Sequence, residues 1–452
     1  MATRVNVSEI VDNSRLSAFQ ITTFVLCGLC LLMDGFDAQV MGYVAPVVSR
    51  ELHIPAAALG RVLAASPFGV MIGSLLFSML ADKLGRRPVL IFVTAYYAIL
   101  TVISALATTA GTLLVIRVIA GVGLGGIMPN AVALCGEFSP KQSRVTVMMV
   151  VANCFSAGAA VCGFVAAWLI PNFGWRSVFY FGGAVPLLIS LVMLLMLPES
   201  LQYLALRGKN PVGLRKWLKR VEPAAPTAGS VEYVVNEQPQ KGVPWVHLFH
   251  EGRAVGTAFL WVINFMNLLN LYFLSNWLPS VVTAAGYSTQ TAALVTASLQ
   301  LAGTVGAFAL GWGVHKVGFV PILATGFTLG CINIAMIGQP GLSLTMLFVV
   351  VCIAGLGVVG GQAGVNALAA TYYPTDLRST GVGAGLGIGR IGAIVGPLVA
   401  GELLARHWSA EQLFYTAAIT ALISAIVMVG MRWVLKPFVP AVSKVREARS
   451  VV

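Results

Sequence analysis

The chain has 452 residues, of which 58% are hydrophobic and only 10% are charged. Soluble domains carry about 25% charged residues, so this composition excludes an ordinary soluble protein. The mean hydropathy of +0.87 leads to the same conclusion. The net charge of +12 would suggest a nucleic-acid partner in a soluble protein. In a membrane protein basic residues instead collect in the cytoplasmic loops, so we expect no nucleic-acid partner.

Apolar runs of roughly 20 residues recur along the chain, and each is long enough to cross about 30 Å of hydrocarbon. Because the backbone must satisfy its own hydrogen bonds there, we interpret each run as a helix. The sequence therefore predicts an all-α membrane protein. Twelve spans are predicted, numbered 1 to 12 in chain order, at 19–46, 58–80, 88–108, 112–136, 145–170, 177–197, 255–277, 290–314, 319–338, 342–370, 380–404 and 412–435.

A long polar stretch, 198–254, separates span 6 from span 7. It divides the chain into an N-terminal six-helix half, 19–197, and a C-terminal six-helix half, 255–435. Residues 1–18 and 436–452 are predicted to be polar terminal segments. The basic part of the linker predicts a short amphipathic helix near 210–221.

Basic residues are distributed unequally between the two ends of the spans. If the N-terminus is cytoplasmic, only four of the 28 Lys and Arg residues lie in external segments, namely Arg50, Arg61, Arg176 and Arg406. Such asymmetry fixes the orientation of a polytopic protein. It predicts that both termini and the linker are cytoplasmic.

An internal repeat relates the two halves. The segment Asp82 to Arg87 follows span 2, and a similar segment, His315 to Gly318, follows span 8 about 233 residues later. Pro140 and Arg144, after span 4, are matched by Pro374 and Arg378 after span 10. Repeated halves related in parallel are a known transporter architecture, with the solute site at the interface of the repeats.

These motifs resemble those of the major facilitator superfamily, over essentially the whole chain. The loop Asp82-Lys83-Leu84-Gly85-Arg86-Arg87 is similar to the superfamily's signature between helices 2 and 3, although Ser78 stands where the family usually has Gly. Within the superfamily, the chain most resembles the aromatic acid:proton symporters. That likeness rests on Asp34-Gly35-Phe36-Asp37, the Gly-rich segment 121–130, Asn276-Trp277-Leu278-Pro279, Tyr373 to Arg378, and the Gly-rich segment 387–392.

The resemblance implies a twelve-helix major facilitator fold and proton-coupled import of a benzoate- or hydroxybenzoate-type acid for aromatic catabolism. It implies alternating access in a bacterial inner membrane, with helices 1, 4, 7 and 10 around a central cavity. No Walker motif is present in the sequence, so we expect a proton gradient as the driving force and no cofactor or metal. The expected partners are the aromatic carboxylate, protons and the lipid bilayer, and the expected state is a monomer.

Three charged residues in the N-terminal half are candidates for proton coupling. A charge at the centre of a spanning helix costs about 2.5–3.5 kcal/mol on insertion scales. Asp34 and Asp37 lie three residues apart on one face of span 1. Two such close carboxylates tend to share a proton. Arg117 in span 4 is expected to join them; a purely structural pair that neutralises Arg117 is the alternative.

Candidates for substrate binding begin with Arg390 in span 11. The C-terminal half has no buried carboxylate to neutralise it, and a guanidinium binds a carboxylate bidentately. The plainer alternative is that Arg390 only ties helix backbones together in a Gly-rich segment. Amides and a phenol suited to ring hydroxyls are Asn130, Asn264, Asn267, Asn270, Tyr272, Gln362 and Asn366. Hydrogen bonding between helices is the alternative role of each of them.

A second charged set lies at the predicted cytoplasmic ends of the spans. The resemblance implies ion pairs that close an inward gate, whereas anchoring and topology are the alternative role. The set consists of Asp82, Arg86, Arg87, Glu137, Arg144, Glu199 and Arg378.

Two glycine strings need a separate interpretation. Gly121 to Gly126 and Gly387 to Gly392 both spell the GxGxxG of dinucleotide-binding proteins. Neither follows a strand, and glycines in spans permit close helix packing.

The rival functions are transport of another solute, such as a sugar or organic cation, and non-transporting sensing of aromatic acids. Arg390 disfavours a cation, and the linker and tail are too short for an output domain.

Overall fold

The computed structural model describes residues 3–207, 211–223, 231–234, 245–374 and 377–435. The segment predicted as a C-terminal tail, 436–452, lies outside these residues, as does much of the predicted linker.

The described residues contain twelve helices that are long and apolar enough to cross a membrane, which confirms the predicted number and order of spans. Spans 1 and 7 are longer than predicted because each helix continues through an internal proline, Pro46 and Pro279. In chain order the spans are Ala18–Glu51, Ala56–Leu84, Arg86–Ser104, Ala110–Phe138, Arg144–Phe173, Arg176–Met196, Ala254–Ala284, Thr289–Val317, Phe319–Ile337, Leu344–Tyr372, Arg378–Ala405 and Ala410–Trp433.

Spans 4 and 10 are not uniform α-helices. Span 4 consists of Ala110–Leu124 and Ile127–Phe138, with a turn at Gly125 and Gly126. Span 10 consists of Leu344–Gly355 and Gly361–Tyr372, joined by a π-helical turn, Leu356–Gly360. A π-turn displaces backbone carbonyls from their i+4 partners and often marks a functional position.

Several short elements lie outside the spans. The amphipathic helix predicted near 210–221 is confirmed as Pro211–Val221. A parallel two-stranded sheet that the sequence analysis did not predict pairs Thr3–Asn6 with Val231–Val234. The remaining short elements are the helices Val7–Asn13 and Leu201–Arg207 and the 3-10 turns Trp245–Phe249 and Met431–Trp433.

The described residues group into two compact units that do not coincide with the two predicted halves. The first unit contains 3–40, 65–159 and 174–234. Its spans 3 and 6 pack together, as do its spans 3 and 4. Gly35 packs where an added Cβ would lie 1.8 Å from the Phe155 carbonyl oxygen, so spans 1 and 5 approach at backbone distance.

The second unit contains 41–64, 160–173 and 245–435. It combines the C-terminal half with the end of span 1, the start of span 2 and the end of span 5. Glycines explain the grouping, because a Cβ on Gly42 would lie 2.5 Å from the Ser275 carbonyl oxygen, and one on Gly60 would lie 2.8 Å from that of Pro397. Spans 7 and 11, and spans 9 and 12, also pack closely.

Candidate functional site

A fully buried ion pair joins span 1 to span 4 in the first unit. Nη2 of Arg117 lies 2.7 Å from Oδ2 of Asp37, and both side chains are 0% exposed. The guanidinium also donates to Oδ1 at 3.2 Å and to the Asp37 backbone carbonyl at 3.0 Å. Removing one member of such a pair typically costs 3–5 kcal/mol, because the remaining charge stays buried. The structure thus brings together two of the three residues predicted for proton coupling.

Span 3 supplies a polar contact to this pair that the sequence analysis missed. The Thr101 hydroxyl donates to Oδ1 of Asp37 at 2.6 Å. One turn earlier, the Tyr97 side chain is buried, and its hydroxyl has no hydrogen-bond partner among the described residues. Thr94, Tyr97, Thr101 and Ser104 recur at helical spacing along one buried face of span 3. That polar periodicity was the available sequence signal.

Asp34 differs from Asp37 in its surroundings. It is 5% exposed and interacts electrostatically with the Cys30 thiol and the Tyr97 phenol. Gly35, between the two aspartates, packs on the Phe155 carbonyl and fixes this part of span 1 against span 5. The two carboxylates therefore occupy one rigid stretch of helix, with Arg117 bonded to Asp37.

Arg390 lies in span 11 of the second unit and is half-buried. Within the described part of the chain it makes no hydrogen bond or ion pair. Its neighbour Gly389 packs against Leu268 and the Asn264 carbonyl of span 7, so the guanidinium sits on a tightly packed helix. A half-buried cation without a counter-ion is costly, and an anionic ligand would offset that cost.

Four amides form a hydrogen-bonded cluster between spans 7 and 10. Nδ2 of Asn267 donates to Oε1 of Gln362 at 2.8 Å, and Nε2 of Gln362 donates to Oδ1 of Asn264 at 2.9 Å and of Asn366 at 3.1 Å. Asn267 also donates to the carbonyl of Val358 at 3.0 Å, inside the π-turn. The structure brings together four of the predicted amides, Asn264, Asn267, Gln362 and Asn366. Such a cluster offers both donors and acceptors to a hydroxyl group.

The other residues predicted to bind substrate lie outside this cluster. Asn130, in the first unit, donates to the Gly126 carbonyl of its own helix at 2.8 Å. Asn270 is buried and donates to the Ala417 carbonyl of span 12 at 3.2 Å. Tyr272, like Asn270, lies in span 7 and is almost fully buried. The structure assigns these bonds to helix packing and adds nothing to their predicted role.

Two glutamates tie the predicted cytoplasmic ends of the first unit together. Nε of Arg86 lies 2.8 Å from Oε1 of Glu137, whose other oxygen accepts the Ser200 hydroxyl. Oε1 of Glu199 accepts the backbone N–H groups of Arg86, Arg87 and Ser200 at 2.9–3.1 Å. Burial raises the pKa of the Glu199 carboxyl above its usual value, while these backbone hydrogen bonds oppose the shift.

The remaining charged residues of the predicted gate have varied environments. Arg87 donates to the carbonyls of Leu194 and Leu197 at the end of span 6, at 2.6 and 2.7 Å. Arg144 forms an ion pair with Asp12, a partner that the sequence analysis did not name. Asp82 is exposed in the first unit, and Arg378 is exposed in the second.

Twelve apolar spans that hold a buried ion pair, an amide cluster and an arginine with no partner among the described residues are typical of a transporter of small polar solutes. The chain belongs to the major facilitator superfamily, whose sequence profile matches residues 27–385 and 260–452. Its members are transporters and not enzymes, and this chain is a multi-pass membrane transporter of that superfamily.

Similar proteins include several bacterial transporters. The chain is 35% identical to a gallate transporter of Pseudomonas putida, over 94% of this chain and 95% of that protein. It is 33% identical to a 4-hydroxybenzoate transporter of Pseudomonas aeruginosa, over 95% and 96% of the two chains. A benzoate transport protein of Acinetobacter baylyi is 31% identical, over 89% and 88%.

The fold is also similar to that of a solved structure. A bacterial homologue of the human lysosomal transporter Spinster, in an inward-facing and occupied conformation, superimposes with a TM-score of 0.71. The match covers 92% of this chain and 97% of the other at 17% identity, which supports the fold alone.

Proposed function

We propose that this chain is a proton-coupled symporter that imports an aromatic carboxylate of the benzoate or hydroxybenzoate type by alternating access. The observation that carries the proposal is the unequal state of two arginines within spans. Arg117 is bonded to Asp37, whereas Arg390 has no partner among the described residues. A carboxylate is the ligand that a free guanidinium binds best. The relatives named for gallate, 4-hydroxybenzoate and benzoate support the same substrate class.

In this proposal Asp34 carries the coupled proton. Arg117 balances the charge of Asp37, and Thr101 bonds to the same carboxylate. The two aspartates and the two arginines sum to zero charge. A bound substrate anion adds one negative charge, and a proton on Asp34 would cancel it. The loaded site would then carry no net charge during the conformational change, which lowers the electrostatic cost of that change in the low-dielectric membrane.

The experiment measures uptake of radiolabelled 4-hydroxybenzoate into proteoliposomes, with and without an inward proton gradient. Unlabelled benzoates, sugars and amines serve as competitors. We expect benzoates alone to compete and accumulation to stop when a protonophore is added. Accumulation that survives collapse of the gradient would rule out symport, and competition by sugars or amines would rule out the substrate class.

The matched test of Arg390 uses a second arginine beside the same helix, because Arg390 lies in the middle of span 11 and Arg406 directly follows its last residue. Arg390→Lys removes the planar fork while keeping the charge, and we expect a rise in KM of about tenfold or more. Arg406→Lys is the control, because Arg406 is exposed and its ion pair among the described residues is with Glu402, at 3.0 Å. Equal effects of the two substitutions would remove Arg390 from the site.

We further propose that the charged network of Arg86, Glu137 and Glu199 belongs to a cytoplasmic gate. This assignment rests on the predicted orientation, in which the N-terminus, linker and C-terminus are cytoplasmic and the membrane is the bacterial inner membrane. The network joins span 3, span 4 and the segment after span 6. It would therefore move as one piece during the conformational cycle. In this proposal the imported acid supplies aromatic catabolism.

A further inference from the structure

A cavity of about 360 Å³ lies in the first unit, between the end of span 6, the start of span 3 and the short helix Pro211–Val221. Its lining combines two cations, Arg87 and Lys216, with two aromatic side chains, Tyr203 and Trp217. Volumes of this order are typical of small-ligand sites. None of its exposed lining residues takes part in the proposed substrate or proton site.

The cavity has unused positive charge. The Lys216 side chain is exposed and has no ion pair or hydrogen bond within the described part of the chain; its ammonium lies 5.1 Å from the Trp217 ring centroid. Arg87 uses two of its five guanidinium N–H groups on carbonyls of span 6. The one acidic lining residue, Glu199, directs Oε1 to three backbone N–H groups. Arg87 and Lys216 carry two positive charges against the one negative charge of Glu199, so the lining is net positive.

The cavity opens onto an apolar surface. Leu195, which lines it, is 81% exposed, and Leu191 and Leu194 continue the exposed apolar surface along span 6. Leu195 is next to the last residue of a helix that spans the membrane, so the cavity lies at the level of the lipid headgroups. Tyrosine and tryptophan are enriched at this level.

The helix Pro211–Val221 fits the same location. Leu214, Leu218 and Val221 are buried in the core of the first unit. Its other face carries four cations and no acidic residue, namely Arg215, Lys216, Lys219 and Arg220. A helix with one apolar face and one basic face is typical of an element that lies on an anionic membrane surface.

We propose that this cavity binds the phosphate headgroup of an anionic phospholipid, with Lys216 and Arg87 on the phosphate and an acyl chain along Leu195. The lipid would clamp the linker helix to the ends of spans 3 and 6. This inference does not depend on the transported substrate, and its failure would leave the proposed function untouched.

The experiment measures binding of phosphatidylglycerol to the purified full-length chain by native mass spectrometry, with phosphatidylcholine as the zwitterionic comparison. We expect preferential binding of phosphatidylglycerol and a loss of about fivefold in affinity in Lys216→Gln. Lys219→Gln is the matched control, since it removes the same charge from the same helix outside the cavity. A loss as large in the control would indicate only general attraction and would overturn the site, as would equal binding of both lipids.

A second arm separates lipid from free phosphate. Inorganic phosphate at millimolar concentration should leave bound phosphatidylglycerol in place, because it lacks the acyl contact with Leu195. Displacement by inorganic phosphate would overturn the lipid assignment in favour of a soluble phosphate ester. Brominated phosphatidylglycerol should quench tryptophan fluorescence in the wild type and less in Trp217→Phe. Equal quenching in the two proteins would place the lipid elsewhere.

Discussion

Asp34 and Asp37 lie one turn apart on span 1, yet their surroundings differ. Asp37 accepts two guanidinium N–H groups and the Thr101 hydroxyl through its side chain, whereas Asp34 lies near the thiol of Cys30. Proton coupling needs a carboxyl that changes its charge, and structural pairing needs one that keeps it. The arrangement favours Asp34 for the first and Asp37 for the second.

The two aspartates should therefore respond differently to substitution. Asp34→Asn should abolish proton-driven accumulation while leaving exchange of internal and external substrate intact. Asp37→Asn should lower thermal stability as well, by about 3–5 kcal/mol, because Arg117 loses its counter-ion. Uptake, exchange and melting temperature in detergent check both. Equal melting temperatures for the two variants would contradict this division.

Thr101 offers a more selective test of the Asp37 carboxylate, to which its hydroxyl donates. Thr101→Val removes a hydrogen bond to a charged group, worth about 1.5–3 kcal/mol, with little change in shape. We expect the pH dependence of accumulation to shift in this variant. Ser104→Ala is the control, since Ser104 is equally buried on the same face but donates to the Leu100 carbonyl of its own helix at 2.9 Å. Identical pH profiles for Thr101→Val and the wild type would exclude Thr101 from the coupling site.

The amide cluster should decide between substrates with and without a ring hydroxyl. Asn267→Leu removes the links to Gln362 and to the Val358 carbonyl, so discrimination in favour of 4-hydroxybenzoate over benzoate should fall about tenfold. Asn333→Leu is the control, because Asn333 bonds only to the Leu329 carbonyl of its own helix. Competition assays measure the ratio. An unchanged ratio would restrict the cluster to helix packing.

At the scale of a single helix, the Gly-rich segment of span 11 has two kinds of glycine. A Cβ on Gly392 would lie 2.2 Å from the Phe265 carbonyl oxygen of span 7, whereas one on Gly387 would meet nothing within 4 Å. This confirms that the segment is a packing motif, as its setting in a span predicted. Both glycines belong to the same GxGxxG motif, and they differ only in whether a neighbouring helix packs against them.

The two glycines should respond in opposite ways to alanine. Gly392→Ala should lower the melting temperature and transport, because span 7 has to move away. Gly387→Ala should leave both unchanged or raise stability by about 1 kcal/mol, since alanine is the better helix former. Thermal unfolding in detergent measures the difference. A Gly392→Ala variant with the melting temperature of the wild type would contradict the close packing of spans 7 and 11 at this glycine.

At the scale of the whole molecule, the proposed orientation rests on the distribution of basic residues. A fluorescent protein fused after span 12 should fold and fluoresce, and alkaline phosphatase fused there should be inactive, because both report a cytoplasmic end. Fusions after Arg406, in the loop between spans 11 and 12, should give the reverse pattern. The same pattern at both positions would refute the proposed topology.

The two compact units differ from the two predicted halves because they arise from different properties of the chain. The predicted halves followed from the polar stretch at 198–254 and from the repeat, both of which are properties of the chain. The units instead follow contacts made by small residues, such as Gly60, whose missing side chain admits Gly401 at backbone distance. Hydropathy does not reveal which helix a glycine faces, so the assignment of 41–64 to the second unit was not predictable.

The sequence alone determined the twelve spans, their order, the amphipathic linker helix, and the small set of charged residues within the membrane. It could do so because span length and the cost of a buried charge depend on composition alone. Only the tertiary structure decided that Arg117 bonds to Asp37, that Thr101 bonds to the same carboxylate, that Asn264 bonds to Gln362, that span 10 contains a π-turn, and that Arg390 lacks a partner within the described residues. Hydrogen bonds near 3 Å depend on the rotation and depth of each helix, which the apolar pattern of a fully hydrophobic span leaves undefined.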